Sequence, residues 1–94
     1  MEWIRSEGDH FIQGQSGKRF VAWGLNYDHD HVGRLLEDYW EGEWESVVED
    51  FWEMKALGAN AVRVLLQVAK FMESAEVPNS VALEHLSRLV DLAE

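Results

Sequence analysis

The order of apolar segments predicts an α/β fold in which strands and helices alternate and the strands run parallel. Three stretches carry this expectation. Phe20-Val21-Ala22-Trp23 is apolar at every position, the pattern of a strand covered on both faces. Trp44 to Leu57 places Trp44, Val47, Val48, Phe51, Met54 and Leu57 at the 3-and-4 spacing of one helical face. Val62-Arg63-Val64-Leu65-Leu66 is a second apolar run broken by a single arginine.

The elements follow in chain order. Phe11-Ile12-Gln13, the turn sequence GQSG at 14–17 and the run from Arg19 to Leu25 predict a β-hairpin over 11–25. A polar, aromatic loop then spans Tyr27 to Glu43. A connection this long is usually functional or ordered by short helical turns. The helix at 44–57 has Glu45, Glu49, Asp50 and Glu53 on its wet side, and its early acids suit the positive end of the helix dipole. Gly58 supplies a stop, since glycine takes positive φ without penalty. A strand is expected over 60–66 and another loop over 67–80. Asn79 or Ser80 is placed to cap a last helix over 81–94, with Leu83, Leu86, Leu89 or Val90, and Ala93 inward.

Two parallel strands and two helices do not close on themselves. One flank of each strand stays unpaired, and so narrow a sheet cannot cover its apolar faces. A full (β/α)₈ barrel takes roughly 250 residues. The 94 residues are therefore expected to form one incomplete segment of such a barrel, with the hairpin plugging its lower end. Bare sheet edges favour self-association into a homo-oligomer.

Charge narrows the possible partners. Eighteen acidic residues against eight basic ones leave a formal net charge of -10, which repels phosphate backbones and anionic membrane surfaces. Nucleic acid and membrane are thus not expected as partners. No apolar run approaches the ~20 residues of a membrane span. The opening MEWIRSEGD lacks an apolar stretch of signal-peptide length, so the reading is of a soluble chain. Without cysteine there is no thiolate or disulfide chemistry.

Three segments, GKRFVAWGLNYD, EDFWEMKALGANAVRVLL and ALEHLSRLVDLAE, together resemble the N-terminal part of glycoside hydrolase family 5, the cellulases, mannanases and related retaining β-glycosidases. The resemblance covers about residues 11 to 94 and is most specific at helix-LGAN-VRV. It implies a (β/α)₈ barrel, a β-glycan substrate, no cofactor and a pair of glutamates on the fourth and seventh strands, which lie outside this chain. It also implies that Arg63 is the active-site arginine that orients the nucleophile, and that Asn26 and Tyr27 sit where the first strand opens onto the substrate. Enzymatic activity is thus an expectation for a complete barrel and not for these residues alone.

The residues themselves leave alternatives open. Arg63 among aliphatics needs a partner, either catalytic or in a structural salt bridge, unless its stem packs while its head reaches water. In GLNYDHDH, Tyr27, Asp28 and His29 can line a sugar subsite. His29 and His31 point to one side of an extended segment and could instead hold a metal, as in amidohydrolase barrels. A hydrated acidic loop is the plainest alternative. Trp40, beside Glu37 and Asp38, can stack on a sugar or simply anchor its loop. Trp23 and Trp44 read as core, whereas Trp52 lies off the apolar stripe of its helix and is expected to pack on the outer barrel or on a partner chain.

Overall fold

A computed structural model describes all 94 residues. Its elements are β1 (Ile4–Glu7), β2 (His10–Gln13), β3 (Arg19–Phe20), β4 (Gly24–Asn26), α1 (Leu36–Tyr39), α2 (Trp44–Ala56), β5 (Ala61–Arg63), α3 (Val68–Phe71) and α4 (Ser80–Ala93). The result is a small mixed α/β unit in which no barrel closes. β1, β2 and β3 form an antiparallel sheet in that order, and β4 and β5 form a separate parallel pair.

The predicted hairpin exists as β2 and β3, with Phe11 opposite Phe20 and Ile12 opposite Arg19. β1 extends it, with Ile4 opposite Gln13, and was not anticipated because IRSE has no apolar alternation. Its turn signal is Gly8, which takes φ 61°. The Glu2 carboxylate holds the second turn by accepting from the N–H groups of Gln15 and Ser16 at 2.9 and 2.8 Å.

The second arm of the hairpin does not continue to residue 25. After Phe20 the chain leaves one sheet for the other, and Asn60 manages the crossing. Its Oδ1 accepts from Trp23 N–H at 2.8 Å and its Nδ2 donates to the Val21 carbonyl at 2.9 Å. Its own N–H donates to the Trp23 carbonyl at 2.9 Å. One amide side chain thus stands in for missing sheet partners. Beyond it, Gly24 pairs with Ala61, Leu25 with Val62 and Asn26 with Arg63. At Gly24 an added Cβ would lie 2.0 Å from the Ala61 carbonyl oxygen, so the two strands can approach only over a glycine.

α2 matches its predicted span to one residue. It ends as expected at Gly58, φ 90°, where Ala59 N–H reaches the Met54 carbonyl and Gly58 N–H the Lys55 carbonyl. That pair of bonds is a Schellman stop. The Asn79 side chain caps α4 by accepting from Val81 and Ala82 N–H at 3.1 and 3.2 Å. The two long loops are ordered by the short turns α1 and α3.

The core lies between the helices and one face of β4–β5. Leu36, Tyr39, Trp40, Val47 and Leu89 are buried there, with Tyr27, Phe51, Val64, Phe71 and Leu86 packed around them. On α4 the expected Leu89 is buried and Leu86 packs against the core, whereas Leu83 and Ala93 are exposed and Ala82 is buried instead. β5 covers only 61–63 of the predicted 60–66, and Leu65 and Leu66 remain open to water. Trp23, read as core, is instead 52 % exposed. Trp44 is half-buried beneath the Arg88 guanidinium, 4.3 Å from its ring centroid.

Replacing Asn60 by Ala removes two hydrogen bonds and is expected to cost about 1–3 kcal/mol in urea unfolding. Gly24→Ala is expected to abolish the cooperative transition. His85 lies edge-on to Trp40, at 5.6 Å between ring centroids, with both ring nitrogens buried and unpartnered. His85→Phe keeps the ring contact, removes the unpaired polar atoms and should leave stability unchanged or raise it by about 1 kcal/mol.

Candidate functional site

The carboxyl ends of parallel strands are where α/β folds gather ligand-binding groups. At that end of β4 and β5, Asn26 and Arg63 stand directly opposite each other. Both are exposed, as are Gly24 and Ala61 below them, whereas Leu25 and Val62 turn toward the helices. Strand alternation therefore gives the pair one helix-covered face and one bare face, and Asn26 and Arg63 belong to the bare one. The Arg63 side chain makes no ion pair, while Arg34 and Lys70 nearby in the fold are both paired.

The same alternation corrects the expectation for Tyr27. It follows Asn26 and so faces the helices. Its hydroxyl donates to Asp50 Oδ2 at 2.6 Å, its ring meets Phe51 edge-on at 5.5 Å, and the Tyr39 hydroxyl lies 3.4 Å away. Burial first, then the bond to Asp50, pushes the Tyr27 phenol far above its usual range, so it remains a donor. Tyr27 ties β4 to α2 and does not border the bare face.

Trp40 is corrected as well. It is 3 % exposed, packed edge-on to Phe71 at 6.0 Å and against His85, so neither face of its ring is free for a sugar. It anchors the loop, the simpler of the two readings.

The stretch from Asp28 to Arg34 is organised by Asp30, which the sequence reading did not single out. One Asp30 oxygen accepts from the N–H groups of Val32 and Arg34, at 3.0 and 2.9 Å, and the other pairs with Arg34 Nε at 2.7 Å. Gly33, φ 83°, completes the turn by donating to the Asp30 carbonyl. Asp before a turn with Gly at its fourth position was the signal available in the sequence. Arg34 continues to Glu43, with Nη2 2.7 Å from Oε2, and lies over the Tyr39 ring at 5.2 Å. The two histidines are not brought into a metal site. His29 Nδ1 lies 2.9 Å from the Asp30 carbonyl, and His31 is exposed. No group of three or more His, Cys, Asp or Glu side chains is assembled that could hold a metal ion. The carbonyl of Asp30, then the Asp28 carboxylate, raise the His29 pKa, which favours the imidazolium over the neutral ring a metal needs.

Above the strand ends the two loops are fastened to each other. Glu37 Oε1 accepts from Gln67 N–H at 2.7 Å, and Lys70 pairs with Asp38. The candidate site thus consists of Asn26 and Arg63 on the bare face, with Asp28 and His29 on the loop that leaves β4.

Three carboxylates of this loop titrate below their ordinary values. For Asp30, burial raises the pKa but is outweighed by bonds from Arg34 and Val32. Hydrogen bonding to Arg34 lowers Glu43, and bonding to Lys70 lowers Asp38. A carboxylate whose folded pKa is lowered contributes stability that is present above its unfolded value and lost as pH falls through the folded one. The thermal midpoint should therefore hold at neutral pH and fall once pH drops below the ordinary values of 3.8 for Asp and 4.5 for Glu. Asp30→Asn keeps the turn but not the ion pair, and should make the acid loss shallower in a pH series of thermal melts. A variant profile identical to that of the unmodified chain would contradict this role.

Among known proteins, no family model matches this chain, and neither a curated protein nor a solved structure matches it.

Proposed function

We propose that this chain supplies the opening βα units of a retaining β-glycosidase of the family 5 kind, with Asn26, Asp28, His29 and Arg63 on the side where a β-glycan enters. The observation that carries the reading is the register of Asn26 with Arg63 at the carboxyl ends of two parallel strands, on the face left bare. A partial (β/α)₈ barrel fits the parallel pair, the helices confined to one side of it, and the antiparallel sheet formed by the segment that precedes β4.

Each group has a definite chemical use in this reading. Arg63 carries a permanent charge and five donors, so a carboxylate placed against it is held ionised and aimed. Asn26 offers both a donor and an acceptor to a sugar hydroxyl. The retaining reaction needs two carboxyl groups roughly 5–5.5 Å apart, one of them kept protonated by its surroundings. The acids that shape the core and the loop over the strand ends are committed elsewhere: Asp50 to Tyr27, Asp30 and Glu43 to Arg34, Asp38 to Lys70 and Glu37 to Gln67. In this reading the catalytic pair is supplied by later strands, as the family resemblance implies.

Two measurements test the proposal. The 94-residue chain should show no turnover of aryl β-glucosides or soluble β-glucans above a buffer blank. A graft of residues 11–94 in place of the equivalent opening units of a family 5 glycosidase should fold and hydrolyse a β-glycan, and Arg63→Ala in that graft should lower kcat by about 100-fold. A graft that folds by circular dichroism yet hydrolyses none of the family's substrates, or an Arg63→Ala graft of unchanged kcat, would overturn the reading.

A further inference from the structure

The chain exposes 7053 Å² of surface. A monomeric protein of its mass, 10.9 kDa, is expected to expose about 5,600 Å². Its radius of gyration is 15.4 Å, against about 12 Å for a compact chain of this length. Only seven residues are buried. Some 1,500 Å² per chain is thus more than a closed monomer leaves open. Obligate homodimers bury about 1,000–2,500 Å² per subunit, so the excess matches one such interface.

The uncovered apolar surface has a focus. A trough of about 620 Å³ runs between the antiparallel sheet, the C-terminal half of α2 and the end of α4. Its walls include Ile4, Phe11, Phe20, Phe51, Trp52 and Met54. Of its 16 lining residues 13 are hydrophobic, and the only charged side chains are Lys55 and Glu94, of opposite sign. Elsewhere the molecule carries a net -10, which would drive two copies apart on any other approach.

We propose that a second copy of this chain covers the trough, making an isologous dimer in which Trp52 and Phe11 of each copy enter the interface. A two-fold contact presents the same patch from both sides, and a neutral, concave, aromatic-rimmed patch is self-complementary in charge. This differs from association along the bare edges of β4 and β5, and it concerns the 94-residue chain by itself, since in the complete barrel proposed above later elements would compete for the same surface.

Light scattering coupled to size exclusion, run over a concentration series, tests it. The unmodified chain should weigh twice its 10.9 kDa. Trp52→Glu and Phe11→Glu alter side chains that are 61 % and 53 % exposed, so each should return the mass to that of a monomer without loss of circular dichroism. Leu65→Lys, beside the free strand edge and outside the trough, should leave the dimer intact. A monomer at about 100 µM, or a dimer indifferent to Trp52→Glu and Phe11→Glu but dispersed by Leu65→Lys, would overturn the proposal.

Discussion

The contact between Gly24 and Ala61 is the constraint on which the rest of this fold depends. A parallel pair of three residues each is held by few hydrogen bonds, and it persists only if the strands meet at full closeness. Any side chain at position 24 would occupy the space of the Ala61 carbonyl. Once that contact is made, Leu25 and Val62 are turned together toward the helices and Asn26 and Arg63 are turned together away from them. The helix layer and the candidate site are consequences of one backbone approach.

Asn60 and Tyr27 extend that approach in opposite directions. Below the pair, Asn60 fastens the stretch that leaves the antiparallel sheet, so β3 and β4 can belong to different sheets within a few residues. Above it, Tyr27 reaches Asp50 and anchors the strand end to α2. Loops beyond Tyr27 then rest on Leu36, Tyr39 and Trp40, the aromatic and aliphatic floor of the core. Most of the burial in the chain is therefore spent beneath the loops and not beneath the strands.

Legibility in the sequence followed the range of the interactions. Gly58 and Asn79 were readable because a helix end is decided by the few residues around it. α2 was readable because its charged and apolar faces are cleanly divided. On α4 the apolar residues span most of the circumference, so the choice of Ala82 over Leu83, and of Leu89 between the two positions left open, was made by the neighbours it meets. Trp40 sits in an acidic stretch and looks like a ligand platform until α4, more than forty residues on, closes over it with His85. Asn26 and Arg63 were singled out from the sequence, and the register that sets them opposite each other was not, because a pairing across 37 residues leaves no local trace. Asp30 was legible from its turn, with Gly33 three residues on.

Electrostatics separate Arg63 from the other cations of the βα region. From residue 21 onward the chain has five basic side chains: Arg34, Lys55, Arg63, Lys70 and Arg88. Arg34 is shared between Asp30 and Glu43, Lys70 takes Asp38, and Lys55 and Arg88 lie over Trp52 and Trp44. Arg63 alone has neither a carboxylate nor a ring, in a molecule with more than two acids for every base. A surface salt bridge would have been easy to make and worth little, so structural need does not explain keeping this guanidinium apart. An unpaired guanidinium is what the proposed reading requires, in which Arg63 receives a carboxylate from outside these residues. Asp50, the one acid near it in sequence that makes a side-chain bond, is taken by Tyr27.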